Sequence, residues 1–587
     1  MNLTLNTNDV QYQLVQDAQT LKSACQSLAT AKTIGIDTET TGLDPRTHQL
    51  RLVQIAASGM PVMIVDLAAI PADKLRPLRQ LLTNGSTKVF HNGKFDLSFL
   101  SMANLQPTGP YFDTQLASQV LFAGLKKSHT LAALADKFLK IELNKNLQHS
   151  DFSGKLSNDQ LKYAAIDAAI LLPLQKILYT HLKRAFLLPT AFLEFEAMPA
   201  VAKMELNGMQ LDHQKWLAVS LDLEQKKQAA VLQLKELKIR HSDQLSLLPE
   251  YTDCVNPESP QQILAALQSL GIPVDSTSKK TLIPLANQYP IIRSLLDYRK
   301  LSKLTSTNLK EHIHPVTGRI HAQYRQCGAR SGRFSCLCPN LQNIPRDKAI
   351  RSCFVASGGY KIIKADYSQI ELRITAVLSS DRLLLKAYKQ GQDLHAVTAS
   401  LVTGKPLSSI TPEDRRLAKA INFGLIYGMG ASKLQVYAET EYGIIMTLEE
   451  AQIFRKRFFQ AYSGVAKWHD RIRSTVYGRG IKEIRTIGGR RRRWANKPRL
   501  SELLNHPVQG TSADITKIAI AKLFKALGKT DAKLIGTVHD EILLECPEEQ
   551  VAPVSKILHK CMLSAAAQFL NPLPVEVSIQ VARSWSA

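Results

Sequence analysis

At 587 residues the chain is too long for one hydrophobic core, and length alone divides it into about three or four domain-sized units. Its 74 Lys and Arg against 50 Asp and Glu give a formal charge of +24 and a pI near 9.6, with no lysine-rich tail, which points to a polyanionic partner rather than to charge carried only for solubility. The eight cysteines lack the C-x-x-C spacing of zinc sites even around Cys327, Cys336, Cys338 and Cys353, no leader-like segment opens the chain, and no apolar run spans a bilayer, so reduced thiols, no membrane partner and a cytoplasmic protein are expected.

The first segment alternates strand and helix signals. Thr33 to Ile36, Leu52 to Ala56 and Pro61 to Val65 are short and apolar and end at turn-forming residues, which predicts an α/β nuclease-like domain. From Leu116 to Leu187 the periodicity is helical, and the polar stretch Thr180 to Glu196 places a domain boundary near residue 190. Gln214 to Ile239 and Gln261 to Leu270 read as helices of an arm standing away from a sheet. Strand signals return at Tyr360 to Ala365 and Lys533 to Cys546, two segments that can meet in one sheet, with mostly helical sequence between them. There is no internal repeat and no low-complexity linker.

The strand at Thr33 runs into Asp37-Thr38-Glu39, whose carboxylates, two residues apart, point the same way. Such a pair also occurs on solvated strand ends, so it carries little alone. His91-Asn92-Gly93-Lys94-Phe95-Asp96 adds a third carboxylate after the strand Lys88 to Phe90, and Asp167 adds a fourth, four residues after Tyr163 on the same helix face. In these residues the first 190 positions resemble the DEDD superfamily of 3′→5′ exonucleases, in the subclass with Tyr in the third motif, and every signature residue is present. The resemblance implies a ribonuclease H-like fold with Asp37, Glu39, Asp96 and Asp167 as ligands of two Mg²⁺ ions. One ion would generate the attacking hydroxide and the other would stabilise the leaving 3′-oxygen, while Tyr163 orients the water. A degenerate scaffold would have lost carboxylates, and none is missing.

A second constellation pairs Asp366, in Asp366-Tyr367-Ser368-Gln369-Ile370-Glu371, with Asp540, in Val538-His539-Asp540-Glu541. Between them Arg415, Lys419 and Phe423 recur at four-residue steps on one helix face, two cations and an aromatic that suit a triphosphate and a stacked base. Taken alone, that helix reads as amphipathic with a solvated basic face. The ordered set DYSQIELR, R-x-x-x-K-x-x-x-F-G-x-x-Y-G and VHDE resembles motifs A, B and C of the A-family DNA polymerases, from about Glu194 to the C-terminus. It implies an α+β right-hand polymerase over residues 191–587, with a thumb at about 212–326, fingers at about 380–500 and a palm in the remainder. Implied roles are metal binding by Asp366 and Asp540 with Glu541 in support, and phosphate clamping by Arg415 and Lys419, with Lys419 protonating pyrophosphate. Phe423 would stack on the incoming nucleotide and discriminate against dideoxynucleotides, Glu371 with Tyr427 would exclude ribonucleotides, and His395 and Gln369 would line the nucleotide site. His539 would meet the primer terminus, and Arg333, Asn505 and Gln509 would read minor-groove acceptors. Two Mg²⁺ per site, Mn²⁺ as a substitute, primer-template DNA, deoxynucleoside triphosphates and a monomeric enzyme, with or without a separate processivity factor, complete the implied picture of replication or repair synthesis with proofreading.

Three features depart from that family pattern. Ser331-Gly332-Arg333-Phe334-Ser335 lacks the usual Thr, and Leu500 and Ser501 stand where a Glu-Arg pair is usual, so a primer-backbone contact is expected to be lost or moved to Arg499 or the neighbours of Glu502. Arg490-Arg491-Arg492-Arg493-Trp494 reads as a duplex-backbone contact or as a solvated basic turn. With no 5′ nuclease domain read ahead of the exonuclease, the expectation is a chain that resembles the large fragment of bacterial enzymes or the viral and organellar members lacking that domain, with an arm that has no room for a large processivity insertion. The competing readings are an RNase D-like exonuclease whose C-terminal part only grips substrate, and a binding scaffold with both sites inactive.

Overall fold

The structure, a computed structural model, describes residues 7–143, 147, 150–234, 237, 255–306 and 308–586. Six strands, β1 (Tyr12–Val15), β2 (Thr33–Thr40), β3 (Leu50–Ala56), β4 (Val62–Asp66), β5 (Thr87–Phe90) and β6 (Tyr111–Asp113), form one sheet in the order β1-β4-β3-β2-β5-β6. β2 runs antiparallel to β3 and parallel to β5, so it lies in the interior of the sheet. Two helices bear on it. α1 (Lys94–Met102) follows β5, and α2 (Asn158–Arg184) opens with a capping box at Ser157 and Gln160. α2 lies directly on β2: a Cβ on Gly35 would stand 2.6 Å from the Ala168 carbonyl oxygen, so only glycine admits this approach.

Residue 190, where a boundary is expected, lies in the first turn of α3 (Leu188–Asn207), a helix that packs into two cores. Its Ala191, Phe195 and Met198 pack with the six-stranded sheet, and its Ala200, Val201 and Met204 pack with the second half of the chain. The arm comprises α4 (His213–Gln233), α5 (Pro260–Ser269) and α6 (Pro290–Thr305), gathered on a separate core that includes Ile263, Leu267, Ile292, Leu295 and Tyr298. The helix expected from Gln214 to Ile239 forms as far as Gln233, and residues 235, 236, 238 and 239 of that stretch lie outside the described residues.

The distant strand signals do meet. β7 (Tyr360–Tyr367), β8 (Lys533–Val538), β9 (Glu541–Pro547) and β10 (Val577–Ala582) form an antiparallel sheet in the order β8-β9-β7-β10, with Ala365 opposite Ile542. Around it stand α7 (Ile370–Ser379), α8 (Leu394–Thr403), α9 (Pro412–Ile426), α10 (Leu500–Ala526) and α11 (Val551–Leu570). α9 starts at a capping box between Thr411 and Asp414 with Pro412 in its first turn. The cysteines among the described residues are free thiols.

Candidate active sites

Asp37 and Glu39 share the outer end of β2, and Asp96 and Asp167 reach them from the first turn of α1 and from α2. The turn from β5 into α1 needs its residues: Asn92 is left-handed at φ 61°, and a Cβ on Gly93 would lie 2.5 Å from Phe90 Cβ. Asp96 is fixed by the Thr38 hydroxyl, which donates to its Oδ1 at 2.6 Å. Burial, then the neighbouring Asp96, Glu39 and Asp167, hold the Asp37 carboxyl well above its ordinary range. Burial and the facing carboxylates push Glu39 to about 8, burial pushes Asp96 to about 7, and burial pushes Asp167 to about 6 against the hydrogen bond it accepts from Tyr163. Sequence reasoning missed Asp113, a fully buried carboxylate that accepts from the Gly93 and Leu116 amides at 2.7 and 2.6 Å and so pins the turn carrying Asp96. Its only sequence signal is an aspartate closing a short apolar strand.

In the second half of the chain the β8–β9 turn is tight, since Val538 pairs with Glu541, and His539 takes a left-handed φ of 60°. It projects Asp540 past the end of the sheet toward Asp366 on β7. Burial, then Asp366, pushes Asp540 to about 7; burial and Glu541 raise Asp366, against Arg346. Asp366 Oδ1 is buried and has no hydrogen-bond partner within the protein. A buried acceptor left open beside a second carboxylate is what a hard cation completes. No three His, Cys, Asp or Glu among the described residues stand close enough to enclose one ion.

On α9, Ala418, Ile421, Asn422 and Leu425 are buried, Arg415 and Lys419 are exposed, and Phe423 and Tyr427 are half-buried on the same stripe. Arg415 donates to Asp393 at 2.5 Å. His395 is buried against Phe423 with a ring separation of 6.1 Å and shares a 3.0 Å hydrogen bond with Asn422, and burial drives its pKa to about 4, so it is a neutral ring at pH 7. Glu371 accepts hydrogen bonds from both Arg333 and Tyr427, as the resemblance implies for Tyr427. Gln509 bonds Tyr427 and lies 3.5 Å from Asn505, so Arg333, Glu371, Tyr427, Asn505 and Gln509 converge on one patch. Arg333 commits its guanidinium to Glu371 here. Gln369 accepts from the Tyr388 hydroxyl at 3.0 Å.

Both readings of Arg490 to Trp494 are corrected. Arg490, Arg491 and Arg492 are buried, neither on a solvated turn nor on an open duplex-binding face. Arg490 donates to Glu194 at 2.5 Å and to Asp514 at 2.6 Å, and Lys517, at 0 % exposure, donates to Glu194 and, at 2.7 Å each, to the carbonyls of Gln326 and Gly332. Two cations and two anions thus balance in one buried cluster, and its lysine grips the backbone next to Arg333. Burial alone would raise Glu194, but Lys517 and Arg490 hold it at about 2. Arg491 and Arg493 donate to the Leu121 carbonyl at 2.8 and 2.9 Å, across the seam between the two halves. The same seam holds Lys94 on Glu205 at 2.6 Å and His314 on Asp44 at 3.0 Å.

A family model described as DNA polymerase family A matches residues 228–587, and one described as 3'-5' exonuclease matches residues 12–183. DNA polymerase I of Aquifex aeolicus is 36% identical over 606 residues, covering 98% of this chain and 99% of that protein. DNA polymerase I of Pseudomonas aeruginosa is 34% identical over 625 residues, and the match spans 97% of this chain and 65% of that longer relative. A solved structure described as the POL domain of Pol1 from M. smegmatis, in complex with DNA primer-template and dNTP, superposes with a TM-score of 0.81 at 26% identity, covering 97% of this chain and 98% of that one.

Proposed function

The chain belongs to DNA polymerase family A, with a 3′-5′ exonuclease domain ahead of the polymerase domain, and on that premise we propose how its two carboxylate clusters divide the chemistry. Template-directed DNA synthesis is the work of the cluster at Asp366 and Asp540, and proofreading that of the cluster at Asp37, Glu39, Asp96 and Asp167. The boundary between them lies near residue 190, with the thumb at about 212–326, fingers at about 380–500 and the palm in the remainder. Divalent metal serves both clusters, and we assign Mg²⁺, with Mn²⁺ as a substitute, for its charge and its tolerance of water and phosphate ligands.

In synthesis, Arg415 and Lys419 take the triphosphate on the exposed stripe of α9, and Arg415 exchanges its Asp393 partner for phosphate. Lys419 carries the proton for departing pyrophosphate, and Phe423 stacks on the base with His395 packed behind it as a neutral wall. Tyr427 and Arg333 fix Glu371 against the sugar edge, where it leaves no space for a 2′-hydroxyl, and Gln369 closes the same side. His539 meets the primer terminus at the β8–β9 turn, and Glu541 supports Asp540. Arg333, Asn505 and Gln509 face the newest pairs, where acceptor positions are common to all correct pairs. In proofreading, Tyr163 donates to Asp167 and orients the water that attacks the terminal phosphodiester.

The observation that carries this reading is the meeting of Asp366 and Asp540 from strands far apart in sequence, with Asp366 Oδ1 buried and unbonded. Primer-template DNA and deoxynucleoside triphosphates are the substrates, with a monomer as the working form, in the cytoplasm at the nucleoid or, for a phage-encoded enzyme, in the host cytoplasm. No helix among the described residues is long and apolar enough to cross a membrane. Primer extension with Asp540→Ala tests it. We expect synthesis to fall by more than about a thousandfold while 3′ shortening of single strands persists; synthesis within tenfold of the parent, with exonuclease intact, refutes the assignment.

A further inference from the structure

Resting on the assignment of Asp366 and Asp540 to synthesis, we propose that Trp585 and Arg351 are positioning residues that hold the Glu541 carboxylate in place beside the metal-binding pair. Glu541 opens β9 next to Asp540 and close enough to Asp366 to act on its charge. Each of its oxygens has its own partner. The Trp585 indole N–H donates to Oε1 at 2.7 Å, and the Arg351 guanidinium stands 3.8 Å from Oε2.

The two holding residues are themselves locked. Trp585 is 1 % exposed, its amide donates to the Phe354 carbonyl at 3.0 Å, and its ring meets Phe354 edge to face at 5.3 Å. The Ala356 amide donates to the Arg583 carbonyl at 2.9 Å, so the last segment of the described chain is stitched to strand Phe354–Val355. Arg351 lies over the indole at 4.3 Å, and its Nε donates to the Pro345 carbonyl at 3.1 Å. An indole N–H has one proton to give, and a buried one is held to a single acceptor. Glu541 is that acceptor.

A third carboxylate next to two metal ligands has two harmful options. If it swings toward Asp366 it competes for the ions; if it swings away, the site loses a negative charge. The clamp removes both, leaving Glu541 as a fixed charge at fixed range. This is the part that outer partners play for metal ligands, where their loss commonly costs about 10- to 100-fold in metal affinity or activity.

Trp585→Phe keeps an aromatic ring in the pocket between Arg351 and Phe354 and removes the donor together with the five-membered ring that carries it, and Trp585→His separates the donor from the lost volume. We expect the half-saturating Mn²⁺ concentration for primer extension to rise by about tenfold or more, calorimetric Mn²⁺ binding to the polymerase site to weaken in step, KM for deoxynucleotide to change less than kcat, and exonuclease activity to stay at the parent level. In an E541Q background the same change is expected to add less than about twofold, because the indole acts through Glu541. Trp585→His, which returns a ring N–H, is expected to recover part of the affinity. A threefold or smaller shift with exonuclease intact overturns the proposal, as does an additive effect in E541Q. Should exonuclease fall together with synthesis in Trp585→Phe, the comparison passes to Trp585→His, and an affinity no better than that of the Phe variant overturns it. Asp540→Ala in the same titrations separates the premise from the inference: if it leaves Mn²⁺ binding at the polymerase site and synthesis intact, the premise fails, whereas its loss with an unshifted Trp585→Phe defeats the clamp alone.

Discussion

Replacing Glu194 with Gln keeps the shape of the buried cluster and removes one of its two negative charges. Arg490 and Lys517 then face Asp514 alone in a region from which water is excluded. Lys517 and Arg490 hold Glu194 down from the ordinary 4.5 to about 2, so its ionised form stabilises the fold. Leaving a buried charge without its partner costs about 3–5 kcal/mol in other buried pairs. The sign follows from the depressed pKa: the contribution is present above pH 4.5 and is lost as pH falls toward 2. Trp494, stacked 4.6 Å under Arg492, offers a fluorescence signal close to the cluster. We expect urea unfolding at pH 7 to show Glu194→Gln destabilised by about 3 kcal/mol or more, and its stability to vary less than that of the parent between pH 4.5 and 2. The double variant Glu194→Gln/Lys517→Met restores charge balance and is expected to be more stable than Glu194→Gln alone. A single-variant loss under about 1 kcal/mol, or a double variant worse than the single, refutes the picture of a balanced cluster.

Asp37→Asn is expected to abolish 3′ shortening and yet to stabilise the metal-free protein at pH 8. The carboxyl groups of that site have raised pKa values, so their favourable contribution is present in acid and is lost as pH rises through about 6 for Asp167, 7 for Asp96 and 8 for Glu39. Thermal unfolding in chelator at pH 5 and 8 reads the effect, and an equal or larger loss at pH 8 than at pH 5 counts against it. Gly332→Ala is expected to cost about 2 kcal/mol or more, because φ is +91° and the new Cβ would lie 2.5 Å from Arg490 Cδ. Primer extension is expected to fall with it while exonuclease on single strands is retained; a midpoint unchanged within error in urea unfolding refutes the steric argument.

What the sequence revealed and what it hid divide along physical lines. Asp37 and Glu39 were legible because the two-residue period of a strand places them together, and Arg415, Lys419 and Phe423 because a helix repeats every four. The pairing of Asp366 with Asp540 required β7 and β9 to be neighbours, which no local pattern encodes. Arg490 to Arg493 misled for a related reason. A run of arginines is normally solvated, and although Arg492 pairs with nearby Glu502, other partners here, Glu194 and the Leu121 carbonyl above all, are far away in the chain. The available hint was the reverse signal, charges set between apolar residues on helices: Glu194 between Leu193 and Phe195 in α3, Lys517 beside Ile518 and Ala519 in α10. No local pattern shows that α3, which spans the boundary expected near 190, serves two cores.

The seam at Leu121 has a consequence for how such an enzyme could shed proofreading. Deleting everything before α3 would leave Arg491 and Arg493 without their shared carbonyl and would strip the apolar face of α3 bearing Ala191, Phe195 and Met198. Changing Asp37 or Glu39 would silence the nuclease and leave every one of those contacts standing. A descendant of this chain that gave up editing would therefore keep the nuclease fold as a plinth for the polymerase and discard only its acids.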